Sequence, residues 1–328
     1  MDVSIVIPTK NGGDILEKVL TAVYSQKTKY IYEVICVDSG STDNTIEIIK
    51  KFGFKLFEIA PKDFGHGKTR NYGASKGTGE FIIFITQDAE PATDSWLENF
   101  IDAMKSDDEI VGGFGIHYPY PDCNVFDKRD LKVHFEGFGS DNTIFWLEDK
   151  QRYEREEGYR HLLAFFSDNN SCLKRSVWEK HPYDDVNFAE DQIWARKMIE
   201  LGYKKLYCPN APVYHSHNYS LSTYFKRYYD EFKSIYGLHK FIIVSKWYYT
   251  IPGALRQFSH DVKYLRTLQI PKTQKIKWAW YSLWRNIFKY VGGYIGGRYA
   301  SYSPKKQRFL DRTISQQYDQ INDKKQRA

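Results

Sequence analysis

The chain has 328 residues, 42% hydrophobic and 27% charged, which excludes a disordered polymer and allows one large α/β domain with an appendage, or two domains. Four scattered cysteines, Cys36, Cys123, Cys172 and Cys208, form no CxxC pair, so neither a zinc nor a disulfide framework is expected and a reducing compartment is. The net charge of +6 is uneven: from Lys240 onward 18 Lys and Arg face four Asp, a balance of +14, which leaves −8 on the first 239 residues and points the C-terminal part at an anionic surface, membrane or nucleic acid.

The opening MDVSIVIPT has no basic or long apolar leader, and no run approaches the roughly 18 apolar residues of a spanning helix, so neither export nor membrane crossing is expected. Short apolar runs at 3–7, 32–37, 54–59 and 81–85 read as strands. Between them, 15–24, 42–50 and 69–75 carry helical spacing. That alternation predicts βαβ units, a mostly parallel mixed sheet with helices on both faces, and ligands beyond the carboxyl ends of the strands. Polar clusters sit at those ends: Pro8-Thr9-Lys10-Asn11-Gly12-Gly13, Asp38-Ser39-Gly40-Ser41-Thr42-Asp43, and Thr86-Gln87-Asp88. From 110 to 215 the pattern is less regular. A charged helix or loop is expected at 148–157, a helix with Glu190 and Asp191 in its first turn at 188–201, and a short strand at 205–207 before a Pro-rich turn. Beyond Ser220 the chain becomes basic and aromatic, with helices expected around Tyr224–Tyr236 and Ile276–Val291. The division expected is 1–220 for the catalytic domain and 221–328 for a helical extension.

PTKNGG lacks the GxGxxG spacing and no Walker pattern is present, which disfavours a dehydrogenase or a P-loop ATPase. Asp38 is placed either to accept hydrogen bonds from a base or ribose or to cap its turn. Asp88 offers a carboxylate for a diphosphate-bound divalent ion, or caps the next turn of the chain. In Asp63-Phe64-Gly65-His66-Gly67-Lys68-Thr69-Arg70-Asn71, two glycines, a helix start and a cation suit a phosphate oxygen. Glu190-Asp191 serves the helix dipole or supplies a general base. His215 and His217 alternate along an extended segment, so both imidazoles can share one cavity, as metal ligand or as structural histidines.

SIVIPTKNGG, VDSGSTDNT, the acidic position after FIIFI and FAEDQIW stand in the order and spacing of the family 2 glycosyltransferases, the inverting GT-A group, which this chain resembles over about 1–220. DFGHGKTRN, FITQDA and HSHNYSL resemble the rhamnosyltransferase branch of bacterial polysaccharide synthesis. The resemblance implies a Rossmann-like GT-A fold in which Pro8, Thr9 and Asn11 line the nucleotide site and Asp38 contacts a pyrimidine, with Ser39, Ser41 and Asp43 in support. It makes Gln87 and Asp88 donor-binding, and Asp88 a ligand of Mg²⁺ or Mn²⁺. Thr86 replaces the first aspartate of the family's DxD motif, and His217 is the candidate for the missing ligand. Asp191 is implied as the base, with Glu190 and Trp194 beside it. Asp168, Asn169 and Asn170 are implied to face acceptor or donor sugar, and His66 or Arg70 to meet the departing diphosphate.

The resulting expectation is transfer of L-rhamnose from dTDP-β-L-rhamnose to a lipid-linked saccharide at the inner membrane face. A UDP-hexose or UDP-N-acetylhexosamine donor is the alternative. Tryptophan and tyrosine among Lys and Arg after Ser220 suit a membrane surface, while packing on the catalytic domain or a homo-oligomer interface explains them as well. A nucleic-acid-binding protein accounts for the basic tail but not for polar motifs at three strand ends, and a non-catalytic nucleotide-sugar module leaves the candidate base and metal carboxylate without a purpose.

Overall fold

β1 (Val3–Thr9) reads VSIVIPT and is buried along nearly its whole length, as befits a strand covered on both faces. The computed structural model describes residues 1–186, 189–239, 242, 244–316 and 318. After β1 come α1 (Gly13–Tyr24), β2 (Tyr32–Asp38), α2 (Thr45–Lys51), β3 (Lys55–Glu58), α3 (His66–Ser75), β4 (Phe81–Ile85), β5 (Glu90–Pro91), α4 (Trp96–Met104) and β6 (Ile110–Tyr118). They are followed by α5 (Val125–Glu136), β7 (Thr143–Phe145), α6 (Lys150–Arg155), α7 (Glu157–Ala164), β8 (Asn170–Lys174), α8 (Arg175–Trp178), α9 (Glu190–Glu200) and β9 (Lys204–Tyr214). Helices α10 (Leu221–His239), α11 (Thr250–Thr267), α12 (Lys272–Gly296) and α13 (Pro304–Ile314) complete the order.

Among the described residues nine strands form one sheet in the order β3-β2-β1-β4-β8-β6-β9-β5, with β7 on β9. The mixed sheet flanked by helices is as expected. β3, β2, β1 and β4 run parallel, and antiparallel pairing enters where β8 meets β4 and β6. Strand alternation sorts the core: Val3, Ile5 and Ile7 join α1 and α4 on one face, while Val6, Val37 and Phe84 join α3 and α9 on the other. Each fully buried Ile or Phe of β4 contributes on the order of 2 kcal/mol. The four cysteines are buried and free of disulfides.

Two elements depart from the sequence pattern. β9 runs on through Pro209 and Pro212 where a turn is expected, because its pairing with β6 shifts register between Gly115/Cys208 and His117/Val213, and the prolines, lacking an N–H, fall in that bulge. The helix expected over 276–291 extends to Gly296. Its glycines are a close-packed seam: a Cβ on Gly296 would lie 2.3 Å from the Tyr229 carbonyl oxygen. The expected start of α9, Phe188, lies outside the described residues.

The chain forms two compact units, residues 1–123 with 127–216, and residues 124–126 with 217–328. The first holds the sheet. In the second, α12 packs on α10 through Gly292, Gly293 and Gly296 and joins α11 through buried Asp261, which accepts from Ser282 Oγ (2.6 Å) and Asn286 Nδ2 (2.8 Å). Among the described residues no helix is long and apolar enough to cross a membrane.

Candidate active site

The loop after β1 is laced to the turn after β2. Asn11 takes a left-handed conformation (φ 48°), its N–H donates to Ser41 Oγ (2.8 Å), and its Oδ1 accepts from Thr42 N–H (2.8 Å). Gly12 N–H donates to Thr45 Oγ1. Asp38 is fully buried and spends its carboxylate locally, accepting from the N–H groups of Gly40 and Ser41, from Thr9 Oγ1 and from Ser41 Oγ. This corrects the direct base contact expected of Asp38: no carboxylate oxygen is left facing outward, and the residue shapes the turn that presents its neighbours. Thr9 and Ser39 are buried with it, Pro8 is half-buried and Asn11 is exposed. Gln87 clamps the next strand end to the same loop, its Oε1 accepting from Lys10 N–H (2.8 Å) and its Nε2 donating to Lys10 O (3.0 Å).

Beside this corner, Asp88 Oδ1 lies 3.6 Å from His215 Nε2. Asn169 Nδ2 stands 3.4 Å from the other ring nitrogen of His215, and the ring of buried His117 is 5.6 Å away. Burial holds His117 well below the ordinary imidazole range, so it stays neutral. His217, preferred from the sequence, opens the second unit two residues later, its ring 4.9 Å from that of Tyr219. The sequence pairs His215 with His217, and the end of β9 carries His215 to Asp88. Thr86 keeps a buried hydroxyl without a hydrogen-bond partner.

The third group lies at the start of α9. Arg70, buried on α3, reaches Glu190 Oε1 at 2.6 Å and pairs with Asp168 Oδ2 at 3.2 Å. Asp168 Oδ1 accepts from Ser171 Oγ and Tyr183 Oη (both 2.7 Å), and its backbone N–H donates to Asp191 Oδ2 (3.2 Å). Two carboxylates, Asp168 and Glu190, thus share one guanidinium, with Asp191 hydrogen-bonded beside them. Burial, then the charges of Asp168 and Glu190, push the Asp191 carboxyl well above the usual carboxylate range, with Arg70 opposing. Burial likewise raises Asp168 and Glu190 despite Arg70. Asp191 alone of the three is only half-buried and carries no ion pair with Arg70.

Several expectations change here. Arg70 is spent on carboxylates rather than offered to a diphosphate. Gly65 and Gly67 serve chain-to-chain approach, since a Cβ on Gly67 would lie 2.6 Å from Asp184 O. His66 is exposed at the start of α3 against Phe64. Trp194 is core, donating to His181 O and packing on Phe166 and Tyr183. Asn170 is fully buried between Trp96 Nε1 and Ala211 O. Neither Trp194 nor Asn170 is open to a sugar. Tyr183 and Ser171, which hold Asp168, carry no sequence motif and were reachable only through the fold.

A parallel half-sheet with its polar loops gathered at the carboxyl ends, an aspartate after β4 and a carboxylate pair opening α9 defines a GT-A glycosyltransferase. The profile of glycosyl transferase family 2 matches residues 4–181, and the chain belongs to that family. It is 35% identical over 235 residues to the O-antigen chain rhamnosyltransferase RfbN of Salmonella typhimurium, covering 70% of this chain and 71% of the relative. With the O-antigen chain rhamnosyltransferase WbaN of Salmonella anatum it shares 31% over 233 residues, 69% and 70% of the two chains. The fold is shared, at 16% identity and TM-score 0.53 over 99% of this chain and 86% of the other, with the Pyrobaculum calidifontis mannosyltransferase PcManGT in complex with GDP-Man and Mn²⁺.

Proposed function

We propose that this glycosyltransferase inverts the anomeric centre of its donor and moves L-rhamnose from dTDP-β-L-rhamnose to a hydroxyl of a lipid-linked saccharide, in cell-surface polysaccharide synthesis at the inner face of the plasma membrane. The observation that carries the mechanism is the half-buried Asp191 carboxylate at the head of α9, held by the Asp168 N–H and left out of the Arg70 ion pairs. The rhamnose assignment is supported by likeness to two O-antigen rhamnosyltransferases over about 70% of the chain.

Asp191 accepts the proton of the acceptor hydroxyl as its oxygen bonds the anomeric carbon. The bond from that carbon to the diphosphate breaks, and its electron pair leaves with dTDP. A raised carboxyl pKa suits this task, since a base works best when its pKa lies near the working pH. The corner made by Pro8, Thr9, Asn11 and Ser39, braced by Asp38 and Gln87, receives the nucleoside, and His66, at the start of α3, would meet a phosphate oxygen. An oxygen donor on Asp88 and a nitrogen donor on His215, 3.6 Å apart, fit a divalent ion that accepts mixed ligands, Mn²⁺ better than Mg²⁺. His217 would be a further ligand from two residues along the chain. Such an ion would supply charge neutralisation to the departing diphosphate. Asn169, beside His215, would meet donor sugar, and Glu190 and Asp168 would act through Asp191.

Purified protein assayed with dTDP-rhamnose and UDP-sugars, with and without Mn²⁺, tests the reading. Selective use of dTDP-rhamnose is expected, and Asp191→Asn should lower turnover on the order of 10³-fold while donor binding persists. Preference for a UDP-hexose or UDP-N-acetylhexosamine overturns the donor, and near-normal turnover by the variant overturns the base.

A further inference from the structure

The second unit displays large apolar side chains that its fold leaves uncovered. At the approach to α11, Trp247 is 69% and Tyr249 51% exposed, and Ile251 and Leu255 follow one helical turn apart, each 48% exposed. On α12, Ile276 (71%), Trp280 (63%) and Trp284 (37%) recur every four residues and form one stripe. The opposite side of α12, bearing Ser282, Arg285, Asn286 and Gly293, is buried against α10 and α11. Helices of this kind usually turn tryptophan inward; on α12 Trp278 does so, against Phe126 and Tyr281, while the indoles of Trp280 and Trp284 face out.

Cations frame these side chains. Lys246, Arg256, Lys263, Lys272 and Lys277 are exposed, and Lys246 sits 5.6 Å from the Tyr248 ring centre. Carboxylates do not balance them. Among the described residues after Lys240 the acids are Asp261, fully buried, and Asp311, taken by Lys233, Tyr229 and Tyr299. A second copy of the chain meeting this face would therefore set cation against cation. Exposed aliphatics beside the indoles favour a hydrocarbon boundary over nucleic acid, whose bases stack on rings but give isoleucine and leucine little to bury in.

We propose that the α11–α12 face docks on an anionic lipid bilayer surface, with Trp247, Ile251, Trp280 and Trp284 entering the headgroup boundary and the lysines meeting lipid phosphates. Indole prefers that boundary, and each cation near an anionic surface adds to the attraction. The proposal extends the lipid-linked acceptor reading. Its test uses no substrate, so either can fail without the other.

The full chain is mixed with vesicles of phosphatidylcholine containing about 30% phosphatidylglycerol, and with pure phosphatidylcholine, and the bound fraction is read by sedimentation. Binding to the anionic vesicles is expected with a blue shift of tryptophan emission. The double variant Trp280→Ser, Trp284→Ser should lower the partition coefficient at least tenfold, with unchanged circular dichroism and donor hydrolysis. A charge variant, Lys272→Gln with Lys277→Gln, provides a second reading that leaves the indoles in place, and a severalfold loss is expected. No wild-type binding, or binding by both variants equal to that of the wild type, overturns the proposal. So does a concentration-dependent dimer abolished by the tryptophan variant, or displacement from vesicles by single-stranded DNA at stoichiometric amounts.

Discussion

Arg70 carries one positive charge against Asp168, Glu190 and Asp191, and that imbalance governs how each substitution reads out. Removing the cation leaves two buried carboxylates unpaired, so Arg70→Gln should cost about 3–5 kcal/mol of stability, measured by urea denaturation. Arg70 also opposes the rise of the Asp191 carboxyl. In any Arg70→Gln protein that still folds, the acidic limb of the kcat/KM pH profile therefore moves to higher pH. Glu190→Gln removes a negative charge that raises Asp191, so the same limb moves to lower pH. Opposite displacements are the signature of Asp191 as the group titrating in catalysis. A common direction, or none, means another residue takes the proton.

At the scale of elements, the site depends on loops tied across strand ends. Gln87 joins the loops after β4 and β1 by two amide hydrogen bonds to Lys10, and Gln87→Ala should raise the donor KM about tenfold, the equivalent of one lost net hydrogen bond, with kcat little changed. A matching tie lies at the other end of the sheet. Glu33 on β2 accepts from Ser4 Oγ, Thr78 N–H and Lys55 Nζ. Burial pushes its carboxyl up, but these partners outweigh burial and leave it below its ordinary value. A depressed carboxyl contributes stability above its unfolded pKa and loses it as pH falls through the folded one. Glu33→Ala should accordingly cost about 1–3 kcal/mol at pH 7 and progressively less in acid, as thermal unfolding across pH would show. β1, β2 and β4 are legible in the sequence because buried parallel strands are continuous apolar runs. β9 is not, since its prolines signal a turn until β6 supplies the bulge that accepts them. The same gap explains Trp194 and Asn170: motif order brings them to the catalytic neighbourhood, but only strand and helix rotation decides that one faces the core and the other bridges α4 to β9. His215 is the converse case: β5 pairs with the end of β9, Glu90 opposite Tyr214, and so brings to Asp88 a histidine far from it in sequence.

Across the whole molecule the charge is divided, −8 before Lys240 and +14 from Lys240 onward, and the two parts should answer differently to salt. The carboxylates beside Asp191, Asp168 and Glu190, are buried with their counter-ion Arg70 fixed at 2.6–3.2 Å, where ions in solution screen little. The cations of the α11–α12 face are exposed, and screening shortens from about 8 Å at 0.15 M to about 3 Å at 1 M. Raising NaCl from about 0.1 to about 0.5 M should therefore reduce vesicle partitioning several-fold while donor hydrolysis without a lipid acceptor stays within about twofold. Transfer to a lipid-linked acceptor should follow the partitioning, since only the encounter with the surface is weakened. A partition that ignores salt would assign the attraction to the exposed indoles and aliphatics alone. A donor hydrolysis rate that falls in parallel would instead place the salt-sensitive charges at the reaction itself, and the buried ion pairs of Arg70 would then no longer account for the chemistry.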